Sequence, residues 1–306
     1  MTYQRRDFIK TTATGIVLTA ITGNLLGCKS SSILSNTGTI KDFGIQLYTV
    51  RDLMPKDPRG TLKKIADMGY KQIESFNHGK LGMFWGMSNV EFKKYLDEIG
   101  LTLVSSHYKP DKDFERKSAE AAAIGMKYII YPYEGTPFKK NEADYATLPK
   151  TIDDFQKWAE AFNKYGEICR KNGIRFAYHN HDYTFSSLEN QIPQSILLNN
   201  TDKELVDFEM DIYWVVTAGQ NPIEWLKKYP GRFKLVHVKD RKKNALPSDR
   251  ETFSNVGKGS INFAPILKTA LQTGVKYFLV EQDQTYDIPV LQAVKENADY
   301  LKNLKI

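Results

Sequence analysis

From Phe43 onward the chain repeats one phrase: a polar stretch with apolar residues at helical spacing, a glycine, then a short continuous apolar run. Gly69 precedes YKQIESF, Gly100 LTLVSSHY, Gly125 MKYIIYPY, Gly173 IRFAYHNH, Gly231 RFKLVHVKD and Gly274 VKYFLVEQD. Each glycine stands where a helix C-cap needs a left-handed residue. Residues 43–50 and 205–211 complete a set of eight apolar runs, and bounded runs of this length predict buried strands. Between them the spacing predicts helices over residues 61–68, 90–99, 114–124, 152–171, 222–228 and 263–272, with a last one over 290–304. Strand alternating with helix implies parallel strands and right-handed crossovers. Eight such units predict an α/β chain folded as a single (β/α)8 TIM barrel. The rival is an open doubly wound sheet, but no glycine-rich phosphate loop follows the first run.

The N-terminal residues stand outside that rhythm. Gln4-Arg5-Arg6-Asp7-Phe8-Ile9-Lys10 leads into an apolar segment, residues 15–26, which is too short and broken for a stable membrane anchor. The paired arginines with Phe8 resemble a twin-arginine export signal. Leu25-Leu26-Gly27-Cys28 resembles the lipobox of bacterial lipoproteins. The expected organisation is a signal over residues 1–28, a polar tether over 29–41 and a catalytic barrel over 42–306. In that reading Cys28 carries the lipid that is the only membrane contact, and the protein is exported, periplasmic or anchored at the outer membrane. A buried N-terminal helix is the plain alternative.

Composition narrows the classes. A hydrophobic fraction of 41% supports a large core. Of the net charge of +7, Arg5, Arg6, Lys10 and Asp7 carry +2, leaving +5 scattered over predicted helices with no basic run of five. That distribution argues against a nucleic-acid partner. With Cys28 lipidated, Cys169 has no disulfide partner. Cys169 shares a helical stripe with Trp158, Phe162 and Tyr165, which predicts a small core residue and not a nucleophile.

A barrel places its working groups at the C-terminal ends of the strands. The second run ends in Glu74, the third in His107, and the fifth in His179 and His181. The sixth ends in Asp211, the seventh in His237, Lys239 and Asp240, and the eighth in Glu281 and Asp283. Four of the five histidines, all but His78, fall on this rim, where a purely structural role would scatter them. Polar groups inside a barrel are costly unless paired or metal-bound. As strand residues two apart, Ala177, His179 and His181 share one face, and Tyr178, Asn180 and Asp182 share the other. Asp211, Glu281 and one or two imidazoles suit a divalent ion, Mn, Co, Zn or Mg. Such an ion polarises a carbonyl and stabilises an enediolate, while a carboxylate at its edge takes the α-proton. Aromatics near the rim (Tyr48, Trp85, Tyr183, Phe185, Trp214) suit a sugar ring, each with core packing as its plain alternative. Gly257-Lys258-Gly259 either cradles an anion or is an ordinary turn.

GIQLYTVRD, YHNHDYTF, EMDIYWV, HVKD, NVGKGSINF and VEQD, in that order, resemble the sugar phosphate isomerase/epimerase family. These are xylose-isomerase-like barrels related to endonuclease IV. The resemblance implies Asp211, His237 and Glu281 as metal ligands. Many relatives read Glu-Asn-His on strand five where this chain has His179-Asn180-His181, so either histidine replaces the acid. Relatives with His-Asn-His often carry Glu where this chain has Thr184. Without an acid on strand five, Glu281 is the one clear carboxylate base. That weakens a two-base epimerisation and favours a one-base isomerisation or a β-elimination from a keto-sugar. His107, Glu74 or Lys239 would relay the second proton, with Lys239 otherwise a charge partner of Asp240. Tyr48, Glu74, Trp85, Trp214 and Asp240 are the expected substrate contacts. Export implies an unphosphorylated small carbohydrate. The expectation is a metal-dependent carbohydrate isomerase or epimerase, with a lyase acting on 3-keto-glycosides as runner-up. A noncatalytic sugar-binding lipoprotein is the third reading, and a homo-oligomer is left open.

Overall fold

The computed structural model describes residues 38–132, 149, 151–286 and 288–306. The expected signal, and the tether up to residue 37, lie outside the described residues. At the tether's far end Ile40 is buried and the Ile306 amide donates to the Gly38 carbonyl, so the packed chain begins slightly before residue 42.

Eight parallel strands close into a barrel. They are β1 (Gly44–Gln46), β2 (Gln72–Phe76), β3 (Thr102–His107), β4 (Tyr128–Tyr131), β5 (Arg175–His179), β6 (Val206–Asp211), β7 (Phe233–Val238) and β10 (Tyr277–Val280). The ladder runs in chain order and β10 closes it against β1. Between β7 and β10 a small antiparallel pair, β8 (Asp240–Arg241) and β9 (Phe253–Ser254), stands on the rim. The helices are α1 (Pro58–Asp67), α2 (Asn89–Ile99), α3 (Phe114–Ala123), α4 (Ile152–Lys171), α5 (Asp182–Phe185), α6 (Pro193–Asn200), α7 (Ile212–Thr217), α8 (Pro222–Lys228), α9 (Phe263–Gln272) and α10 (Val290–Asn303).

All eight runs predicted as strands are strands, and all seven predicted helices are present. Other elements lie outside that prediction: the β8–β9 pair, and α5, which starts at Asp182 where strand alternation was expected to run on. Residues 47–50 leave the sheet as a 3-10 turn, because the Gln46 side chain accepts the Tyr48 amide and bends the chain. α7 reads IYWVVT, a β-branched and aromatic string that resembles more strand. Asp211 stops the strand there by accepting the Trp214 amide as an N-cap. α6 carries its one clear sequence signal in Pro193, its first residue.

The strand alternation sorts side chains between two cores. Val104, Tyr128, Ile130, Ala177, Leu235 and Leu279 fill the inside of the barrel. Phe176, Tyr178, Phe208, Met210, Val236, Val238, Phe278 and Val280 face outward into the larger core under the helices. Closure is tight at Gly44: a Cβ there would stand 2.8 Å from the Gln72 carbonyl and 2.5 Å from Leu279 Cδ2. Cys169 is fully buried on α4, and burial pushes its thiol up to about 12, as befits a core residue.

Candidate metal centre

Register sets the heights of the polar groups. His179 pairs across the ladder with Glu209, and Asp211 with His237. Inward alternation then stacks Glu209 and Asp211 from β6, His179 from β5, His237 from β7, and Glu281 just past β10. One donor atom from each of His179, Asp211, His237 and Glu281 lies within 4.8 Å of the others, and all four residues are buried. His237 Nδ1 stands 3.0 Å from Glu281 Oε2 and 3.9 Å from Asp211 Oδ2. His179 Nε2 is also 3.9 Å from Asp211 Oδ2. Ligand distances of about 2.0–2.2 Å put neighbouring donors roughly 3–3.5 Å apart around one ion, so these donors would draw closer together to hold one.

The electrostatics fit a cation. Asp211 Oδ2 is buried with no hydrogen-bond partner among the described residues. Burial drives the Asp211 carboxyl up to about 7, against the pull of Lys239 and His237. Burial would lower His237, yet Glu209 and Glu281 overcome it and hold the imidazole well above its ordinary value. Glu74, Glu209, Asp211 and Glu281 crowd one volume. Protons therefore take up charge at the places where a divalent ion would neutralise it.

Beneath these donors lies a second polar layer. Glu74 Oε1 accepts from Gln46 Nε2 at 2.7 Å and sits 2.8 Å from His237 Nε2, while Ser105 Oγ donates to Glu74 Oε2 at 2.5 Å. Glu209 Oε2 lies 2.9 Å from His107 Nε2, 2.9 Å from His179 Nδ1 and 3.2 Å from His237 Nε2. Burial works against the charge on His107, but Glu74 and Glu209 raise it to about 9. Sequence reasoning missed Glu209. The available signal was its place two residues before Asp211 in a strand, hence on the same inward face.

Above the donors opens a cavity of about 470 Å³. The β7–β10 arc contributes Lys239, Glu281 and Asp283, the β3–β5 arc contributes His107, His179 and His181, and Tyr48, Phe76, Trp214 and Phe253 give aromatic walls. Lys239 Nζ reaches Asp283 at 2.6 Å, Glu281 at 3.1 Å and Asp211 at 3.5 Å. Its partners are thus these acids and not Asp240.

Of the strand-five histidines, His179 stands with the other three donors. His181 lies past the end of β5, caps α5 and lines the cavity, its ring 5.1 Å from that of His179. Burial and Lys239 push His181 down to about 3, and its buried Nδ1 has no partner among the described residues.

Three expected substrate contacts lie away from the cavity wall. Glu74 is part of the buried floor. Trp85 packs behind Phe76 at 5.0 Å and donates its indole N–H to Ser75 Oγ. Asp240 follows Lys239 in the strand alternation and so faces outward. Its carboxylate accepts the amides of Arg241, Gly257, Gly259 and Ile261. The anion held by Gly257 and Gly259 is therefore Asp240 itself. Tyr48 and Trp214 do line the cavity, whereas Phe185 is core against Trp225 and Tyr183 meets the Tyr178 hydroxyl at 3.0 Å.

Residues 62–304 match the family described as xylose isomerase-like TIM barrel. Over 266 residues the chain is 27% identical to inosose dehydratase of Clostridium botulinum, covering 81% of each protein. It is 28% identical to a sugar phosphate isomerase/epimerase of known structure from Parabacteroides distasonis, with a TM-score of 0.69 over 87% of this chain and 95% of that one. A 3-keto-D-glucoside 4-epimerase from E. coli shares the fold at 17% identity and a TM-score of 0.62, over 86% of this chain and 99% of that one. With barrel, rim donors and family match spanning the same residues, the chain belongs to the xylose isomerase-like TIM barrel family.

Proposed function

We propose that the chain is a divalent-metal-dependent lyase that takes the proton beside the carbonyl of an unphosphorylated keto-sugar or keto-polyol and then releases the β-substituent. One observation carries the reading: donor atoms of His179, Asp211, His237 and Glu281 meet within 4.8 Å at the floor of a sugar-sized cavity. When bound there, a divalent ion supplies a Lewis acid for the substrate carbonyl and the hydroxyl next to it.

The chain's own residues supply the rest. Burial opposes the charge on Glu281, but Lys239 and His237 prevail and keep it ionised, ready to accept the α-proton. His237 and Lys239 engage its Oε2, which leaves Oε1 for the substrate. His107, across the cavity and holding its proton, delivers it to the departing oxygen. Neutral His181 meets the substrate at the cavity wall, and Tyr48 and Trp214 flank the ring.

A base and an acid held in opposite states suit elimination. A reversible two-base epimerase works best when its two groups exchange protonation states at little cost, which needs similar proton affinities. The relative named inosose dehydratase supports a dehydratase-type step. The second reading, isomerisation or epimerisation, shares the first proton abstraction, and the names of the structural neighbours support it.

Metal-loaded protein incubated in D2O with keto-inositols, 3-keto-glycosides and free ketoses tests this by NMR. An unsaturated product with released water or aglycone is expected. Deuterium at an inverted or isomerised carbon without elimination would favour the second reading. No exchange with any of these compounds would point to a binding protein. The proposal includes export with a lipid on Cys28, so Cys28→Ser should move the protein from the membrane to the soluble fraction.

A further inference from the structure

We propose that Glu209 is a positioning residue that fixes which ring nitrogen His179 and His237 each present, so that they meet one cation through different nitrogens, Nε2 and Nδ1 respectively. The inference rests on the metal reading above. A carboxylate can only accept hydrogen bonds, so every imidazole nitrogen directed at it must carry hydrogen. Glu209 Oε2 faces His179 Nδ1 at 2.9 Å, His237 Nε2 at 3.2 Å and His107 Nε2 at 2.9 Å. A neutral imidazole has one N–H. The proton on His179 Nδ1 therefore leaves a lone pair on Nε2. His237 carries protons on both nitrogens, Nδ1 facing Glu281 Oε2 at 3.0 Å; a cation shared with Glu281 would replace the proton on Nδ1, while Glu209 and Glu74 keep the one on Nε2. His179 Nε2 and His237 Nδ1 are the nitrogens that stand 3.9 Å from Asp211 Oδ2. Glu74 shares the task at His237 and His107, at 2.8 and 2.9 Å. At His179, Glu209 acts without it among the described contacts.

Glu209 is suited to this and to nothing else in view. It is fully buried, and its other oxygen, Oε1, has no partner among the described residues. Its place in β6 opposite His179 fixes its height. Donor atoms of His107, His179, Glu209 and His237 also lie within 4.8 Å of one another, which raises the alternative of a second cation. That would strip both nitrogens of His179 and of His237 at once, leaving two buried imidazolates. Three imidazole protons filling that volume avoid this cost, so the chain should bind one cation and not two.

The test uses the full chain, with Zn2+ and Mn2+ as probes, in calorimetric titration and elemental analysis. Wild type should bind one ion per chain. Glu209→Gln should bind it roughly 10- to 100-fold more weakly, the usual effect of losing a partner behind a metal-bound histidine. Long-range 1H–15N spectra of the metal-free wild type should show His179 as its Nδ1–H tautomer. This measurement stands even if the variant folds poorly. An Nε2–H tautomer at His179, two ions per chain, or a folded Glu209→Gln that binds as tightly as wild type would each overturn the inference alone. A wild type that binds neither ion would overturn the metal reading, and this inference with it.

Discussion

Glu281 carries two burdens at one position: it faces the proposed cation, and it is the carboxylate best placed to take a proton. Glu281→Gln keeps the shape and removes the base. Turnover should fall by about 10²- to 10⁴-fold, the usual share of a positioned base, while circular dichroism stays unchanged; retained turnover would remove Glu281 as the base. Asp211 makes a different prediction. Burial pushes its carboxyl up to about 7, so protons compete with metal below that pH. Metal affinity should therefore rise as pH climbs through 7 and fall below it, with proton release visible as buffer-dependent heats in calorimetry. An affinity flat from pH 5.5 to 8 would contradict this.

At the scale of elements, the strand ends aim the chemistry and the loops hold them in place. The segment after β9 is pinned to the rim by Asp240, whose carboxylate collects four backbone amides. Asp240→Ala leaves those donors without an acceptor and should cost about 2–4 kcal/mol, from roughly 1–3 kcal/mol per unmet buried group with partial rescue by water. Denaturant titration measures it, and hydrogen exchange should quicken at Gly257, Gly259 and Ile261. Gly259→Ala should act the same way, because its Cβ would stand 2.2 Å from the Arg241 carbonyl. This loop shows why a rim residue is not automatically a site residue. Lys239 points into the cavity, so Asp240, one step on, points out.

The whole barrel behaves as one body around a charged axis, and a bound ion should stabilise it as a whole. At about 100 times its dissociation constant, an ion that binds only the native state adds about 2.7 kcal/mol. The melting temperature should rise with added Zn2+ or Mn2+ and return to the starting value with a chelator. No shift with either ion would argue against the centre.

Much of this was legible along the chain. The glycine before six of the eight strands marks a helix end, and all six have positive φ. The period of two then sends Asp211, His237 and Glu281 inward. These are local properties, fixed by a few neighbouring residues. That His179, and not His181, stands with the other three donors was not local: it turned on where β5 ends and α5 begins. Nor was the place of Glu209 among three imidazoles, or of Trp85 behind Phe76. The contacts across the axis, Glu74 to His237 and His107 to Glu209, form only when β10 closes on β1. The sequence by itself determined which side chains point to the axis. Closure decided which of them touch, because separations of a few ångströms across a barrel depend on the tilt and register of all eight strands together.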